Sequence, residues 1–172
     1  MRKNISSEMR RYAATGLALL AIIVCSGFSF FPKSDMPFNG DIVFHDISLT
    51  IPRSHIRDST QSSDDLWIFE KGFYSKSILL SRKDLQGDID DVLDNYIAYL
   101  NSQGPRSERD TFLGLEAVRS AYLESNKPWR EMLFVYNDSI YAVATRGGSE
   151  EEFLSLLDSV SLNAQAEQED QP

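Results

Sequence analysis

The sequence predicts an α+β fold: an α/β/α sandwich around a mostly antiparallel sheet, preceded by one N-terminal transmembrane helix. Three observations predict it. Short apolar runs alternate with polar residues at the period of half-buried strands. Two stretches carry apolar residues at helical spacing instead. Their order along the chain is strands, helix, strands, helix, which suits helices packed on an antiparallel sheet rather than a doubly wound parallel one. The chain has 172 residues, enough for one domain, and no internal repeat.

The N-terminus comes first in the chain and in clarity. Ala13 to Phe31 is a 19-residue stretch without charge. As a helix it would span about 28 Å at ~1.5 Å per residue, close to the ~30 Å of a bilayer's hydrocarbon core. Arg2, Lys3, Arg10 and Arg11 precede it, and only Lys33 follows at once. That asymmetry keeps residues 1–12 in the cytoplasm and sends the rest across. Pro32 stops the helix. The expected arrangement is a single-pass signal anchor at 13–31 in a bacterial inner membrane, with the C-terminal domain in the periplasm. Cleavage after Ser26 or Gly27 and lipidation of Cys25 are the alternatives. A linker over 32–40, an exported domain over 41–163 and a disordered acidic tail over 164–172 complete the organisation.

Within the domain, Asp41 to His45 and Ile47 to Ile51 are expected strands. The second alternates Ile47, Leu49 and Ile51 with Ser48 and Thr50, and Pro52 is expected to end it. A Ser, Asp and Thr-rich loop follows over 53–65. Leu66 to Phe69 and Ser77 to Ser81 form strands on either side of Lys71-Gly72, and Ala117 to Glu124 another. Met132 to Tyr136 and Ile140 to Thr145 make a hairpin through Asn137-Asp138, residues that tolerate a left-handed backbone. Ile89, Val92, Leu93, Tyr96, Ile97 and Leu100 lie on one face of a helix. Asp88, Asp90 and Asp91 crowd its positive end, and Gly104-Pro105 ends it. The last helix starts at Ser149, with Glu152 completing a capping box and Phe153, Leu156, Leu157 and Val160 facing inward.

Composition excludes several functions. Lys plus Arg is 17 against 26 Asp plus Glu, a formal net charge of −9. Residues 1–32 hold four of the cations and one of the anions, so the remainder carries 13 against 25, a net of −12. That disfavours a nucleic-acid binder, which needs cations against phosphate. It also predicts a domain that stands off an anionic membrane. One Cys and two His leave no disulfide framework, no all-Cys zinc site and no three-His metal site.

Each remaining candidate for chemistry has a plain structural account. The run from Asp84 to Asn95 misplaces Gly87 for a calcium loop and suits a dipole-favoured helix start. Glu150 to Glu152 occupies a first helical turn in the same way. Gly147-Gly148 precedes that helix, but three glutamates would repel a phosphate there. His45 is expected at a sheet edge and His55 in a surface loop, and neither stands in a metal-binding or nucleophile motif. Trp67, Phe69, Phe73, Tyr74, Trp129, Phe134, Tyr136 and Tyr141 are expected to pack the core and the sheet faces.

The exported segment resembles the PsbP-like family, whose fold is shared with the Mog-type Ran-binding proteins and the periplasmic lipoprotein DcrB. The resemblance lies in ISLTIP (Ile47 to Pro52), in Ser77 to Leu100 with its helix, in Phe112 to Glu124 as a strand pair, and in the closing Trp129 to Leu162. Arg53-Ser54-His55-Ile56 stands where the family usually places an aromatic. The resemblance implies an α/β/α sandwich and a non-catalytic role in the assembly or stability of a larger membrane complex. It brings no catalytic, cofactor-binding or metal residues. The expected function is therefore a membrane-anchored envelope protein, not an enzyme, whose acidic domain binds a membrane-associated protein partner. The alternatives are a chaperone-like or immunity-type domain that masks a hydrophobic client, and a hydrolase using Asp84, Asp88 or Asp91.

Overall fold

The computed structural model describes residues 37–71, 76–104 and 106–163. The expected transmembrane segment, most of the expected linker, Phe73, Tyr74 and the expected acidic tail lie outside the described residues. Among the described residues no helix is long and apolar enough to cross a membrane. The strands are β1 (Pro37–Phe44), β2 (Ile47–Arg57), β3 (Leu66–Lys71), β4 (Lys76–Asp84), β5 (Arg106–Phe112), β6 (Leu115–Glu124), β7 (Lys127–Tyr136), β8 (Ser139–Arg146) and β9 (Ser161–Leu162). The helices are α1 (Ile89–Ser102), between β4 and β5, and α2 (Glu150–Asp158), between β8 and β9. The spatial order is β1-β2-β3-β4-β8-β7-β6-β5, with β9 on β2, and every pairing is antiparallel.

Strand alternation puts one helix on each face. Met132 and Phe134 of β7 point to one side and Leu133 and Val135 to the other. On the first side, Phe153, Leu156 and Leu157 of α2 join Phe44, Ile47, Leu49, Phe69, Leu80 and Tyr141 in the main core. On the second, Leu93 of α1 packs on Val118, Leu133 and Val135. Further along that face lie Ile68, Leu79, Trp129 and Ala144. Each fully buried aliphatic or Phe side chain contributes about 1.5–3 kcal/mol of transfer free energy.

Both helix starts form as their residues require. The Asp88 carboxylate accepts from the amides of Asp90 and Asp91. The Ser149 hydroxyl accepts from the Glu152 amide at 3.1 Å while the Glu152 carboxylate accepts from the Ser149 amide at 2.8 Å. Asn137 and Asp138 take φ of 48° and 54°, and the β7–β8 hairpin closes on them.

Four differences from the expected elements have physical reasons. β1 starts at Pro37, inside the stretch expected as linker, because Pro37 and Phe38 pair with Ile56 and His55. Pro52 does not end β2. The register shifts between Phe38 and Gly40, which leaves residues 52–54 without partners in β1, so a proline sits in the strand without breaking a ladder bond. His55 is therefore not a surface-loop residue but lies in β2 at 7% exposure. The fourth is β5, RSERDTF, which has no apolar alternation because it is an edge strand. Its charges protect the open edge from pairing with other chains.

Candidate functional site

The sheet has two unlike ends. At one, β1 enters with Pro37. There β3 ends on Lys71 and β8 on Arg146, and β4 begins with Lys76, β5 with Arg106 and β7 with Lys127, while Pro37 and Arg57 lie in the rows of Glu70 and Phe69, one and two rungs in from Lys71. At the other end carboxylates gather. Asp46, Asp64 and Asp65, Asp84, Asp88 and Asp138 lie in or beside its connections, with Asp90, Asp91 and Asp94 in the first turns of α1. Their cationic neighbours are Arg82, Lys83 and Arg109.

Residue chemistry at the acidic end is ion pairing and capping. The Arg109 guanidinium lies 2.9 Å from Asp94, 3.1 Å from Asp90 and 3.4 Å from Glu116, and it donates to the Asp90 carbonyl at 3.0 Å. This clamp ties α1 to β5 and β6. Arg82 pairs with Asp84 at 2.9 Å and with Asp65 at 3.5 Å. Asp84, Asp88 and Asp91, the trio a hydrolase would need, are thus divided. Asp84 is held by Arg82, Asp88 caps a helix, and Asp91 is exposed on that helix's first turn. Among the described residues no three His, Cys, Asp or Glu side chains stand where they could hold a metal ion.

His45 sits in the β1–β2 turn at φ 54°. One ring nitrogen lies 2.9 Å from the Asp64 carbonyl and 3.3 Å from the Asp65 carboxylate. His55 donates from Nδ1 to the Pro52 carbonyl at 3.1 Å. Burial holds its pKa below the usual histidine value, with Lys71 and Lys76 adding to the effect. The two histidines stand toward opposite ends of β2 and do not converge. Glu150 and Glu152 at the start of α2 reach Arg119 at 3.2 Å and Lys76 at 2.6 Å. Lys76, with the Ser149 amide, pulls the Glu152 carboxyl below its ordinary range. Arg130 donates to the Gly148 carbonyl at 2.8 Å. The connection between β8 and α2 is thus stitched to the sheet by its own cations.

One buried group was not anticipated. Glu131 is 7% exposed, on the α1 side of β7 between Trp129 and Leu133. Tyr96 of α1 donates to its Oε2 at 2.8 Å. Burial raises the pKa of Glu131, against the lowering effect of its bonds with Tyr96 and Trp129. Burial and the nearby Glu131 also raise Tyr96 well above the ordinary tyrosine value. A signal was present in WREMLFVY: strand period places residue 131 on the same face as 129, 133 and 135, so one charge sits in an apolar row.

The geometry invites comparison with solved structures. A crystal structure from Bacteroides thetaiotaomicron VPI-5482 superposes with a TM-score of 0.53 at 10% identity, covering 76% of this chain and 51% of that one. This chain therefore spans about half the length of that protein. The solution structure of cyanobacterial PsbP (CyanoP) from Synechocystis sp. PCC 6803 gives a TM-score of 0.50 at 12% identity, covering 81% of this chain and 99% of that one. The fold is PsbP-like. The likeness extends over nearly the whole of the cyanobacterial protein and is one of fold alone at this identity. LpqN, involved in cell envelope biogenesis of Mycobacterium tuberculosis, matches at a TM-score of 0.39 and 13% identity over 76% of this chain and 91% of its own. No family model and no curated protein matches the sequence.

Proposed function

We propose that the chain is a membrane-anchored envelope protein whose PsbP-like domain is a non-catalytic binding module. In this reading residues 13–31 hold it in the inner membrane and the carboxylate-rich end meets a membrane-associated protein with a basic surface. The observation that carries the reading is the separation of charge along the sheet. The carboxylates collect at the end opposite the one where the chain enters, and those with strong partners serve as caps and ion pairs. Tethering supplies high local concentration, so a modest interface suffices. The exposed large apolar side chains Val43, Ile89, Leu113, Leu123 and Leu154 fall on separate elements, a pattern that favours this reading over a groove masking a greasy client.

The test is crosslinking and co-purification of the full chain from membranes, beside a variant carrying Asp64→Lys and Asp91→Lys. The native chain is expected to return one partner in stoichiometric amount, and the variant to lose most of it. A native chain that returns alone, or a variant that keeps its partner, overturns the proposal.

A further inference from the structure

The basic end of the sheet forms a surface of its own, and its placement says what it faces. We infer that this end docks on anionic lipid headgroups. The inference rests on the anchor reading above and extends it, because the chain enters the domain at this same end. β1 begins at Pro37, and its first residues pair with Ile56 and His55 near the end of β2. Only residues 32–36 lie between the expected anchor and β1. A linker that short keeps this end within a few residues' reach of the bilayer, at most ~3.6 Å per residue.

The charge at this end has the right sign for a negative surface. Five strand termini carry Arg or Lys there, and Arg57 and Arg130 stand a little further in along their strands. The carboxylates at this end are Asp58, Glu70, Glu124 and Glu150 to Glu152, and Asp58 and Glu70 are buried. Glu124 is taken by Arg146 at 2.8 Å, Glu152 by Lys76 and Glu150 by Arg119. Cations exceed carboxylates, while the far end is strongly negative. The net charge of −12 thus conceals a dipole aligned with the strands. Its positive end is attracted to anionic lipid within a Debye length, and its negative end is held outward. The β6–β7 hairpin adds an apolar tip. Leu123 is 73% exposed, next to Pro128 across the hairpin and beside Lys127, which is the composition of an interfacial contact. An isolated acidic module would stand away from lipid, but an anchored dipole turns its basic end toward it.

The experiment uses the full chain with Cys25→Ser, so that one new thiol can be labelled. A fluorophore is placed at Ser125→Cys in the β6–β7 turn or at Asp91→Cys at the start of α1. The proteins are reconstituted in vesicles of pure phosphatidylcholine or with one third phosphatidylglycerol, and an aqueous collisional quencher is added. The label at 125 is expected to be quenched several-fold less in phosphatidylglycerol vesicles at low salt. The protection should vanish at 0.5 M salt and in a Lys127→Glu, Arg130→Glu variant. The label at 91 should be quenched fully throughout. Equal quenching at 125 in both lipids, or protection at 91 instead, overturns the inference. So does protection that appears only when an oligonucleotide is added, which would assign the basic end to nucleic acid. Carbonate extraction of the same vesicles reads the anchor separately. A retained chain with an unprotected label refutes lipid docking alone, and a stripped chain refutes the anchor and docking together.

Discussion

α2 lays Phe153, Leu156 and Leu157 on a face already lined by Phe44, Leu49, Phe69 and Tyr141, and its polar contacts with Lys76 and Arg119 are at the exposed rim. α1 covers a smaller apolar patch around Leu93 and adds polar attachments at its centre and its end. Tyr96 reaches the buried Glu131, and the Asn101 amide bonds both the N–H and the C=O of Ser107 at 2.9 and 3.2 Å. Asn101 thereby acts as a short strand partner for β5. The α2 face derives its stability from area, which is tolerant of geometry. The α1 face depends more on a few directional bonds, which fix one position but lose more when one partner goes. α1 is accordingly the element expected to open first.

The sharpest way to break this contrast is to empty each core in turn. Phe153→Ala should cost about 3–5 kcal/mol and unfold the domain cooperatively. Leu93→Ala should cost about 2–4 kcal/mol, with faster amide hydrogen exchange confined first to α1. Equal exchange gains in both helices for Leu93→Ala would erase the distinction.

A smaller effect isolates Glu131. Its folded pKa is raised, so the native state binds the proton more tightly than the unfolded chain does. The stability tied to that proton is complete below the ordinary glutamate value and is lost as pH rises through the folded one. Glu131→Gln keeps an acceptor for Tyr96 and removes the charge. It should stabilise the domain at pH 7.5 by on the order of 1 kcal/mol and converge with the native protein near pH 4. Parallel stability curves in denaturant at the two pH values would count against a buried, charged Glu131. The least effect belongs to Arg109→Gln. The clamp is partly exposed, so a loss of ~0.5 kcal/mol is expected, and salt at 0.5 M should abolish the difference between native and variant.

Much of the fold was legible because it follows local rules. The β7–β8 hairpin, the Ser149 capping box and both apolar helix faces depend on neighbours within a few residues, although Ile89, expected on the inner face of α1, is exposed at the helix's first position. β5 was not, because an edge strand clamped by Arg109 and Asn101 has no apolar period to display. The continuation of β2 past Pro52 depended on β1 accommodating a bulge, a fact held by the partner strand. The acidic end was legible as composition, but its concentration at one end was not. That arises only when antiparallel pairing brings Asp46, Asp84, Asp91 and Asp138 together from distant parts of the chain. The cations at strand termini were equally invisible, since none of the five stands near another in the sequence except by way of a turn.

Antiparallel pairing also fixes where the chain comes in and where it goes out. It enters at Pro37, and the last described residue, Asn163, is tied at the far end by its N–H to the Asp46 carbonyl at 2.8 Å and by Tyr136 donating to its own carbonyl at 3.0 Å. By register Pro37 lies in the row of Ile56, Glu70, Ser77, Arg146 and Trp129, and Tyr136 is seven residues further along β7, which at ~3.3 Å per residue is about 23 Å. The sheet is thus a spacer of set height between arrival and departure. A label placed at Asn163 samples a layer that far from the point of entry, and no change in loop composition alters that distance.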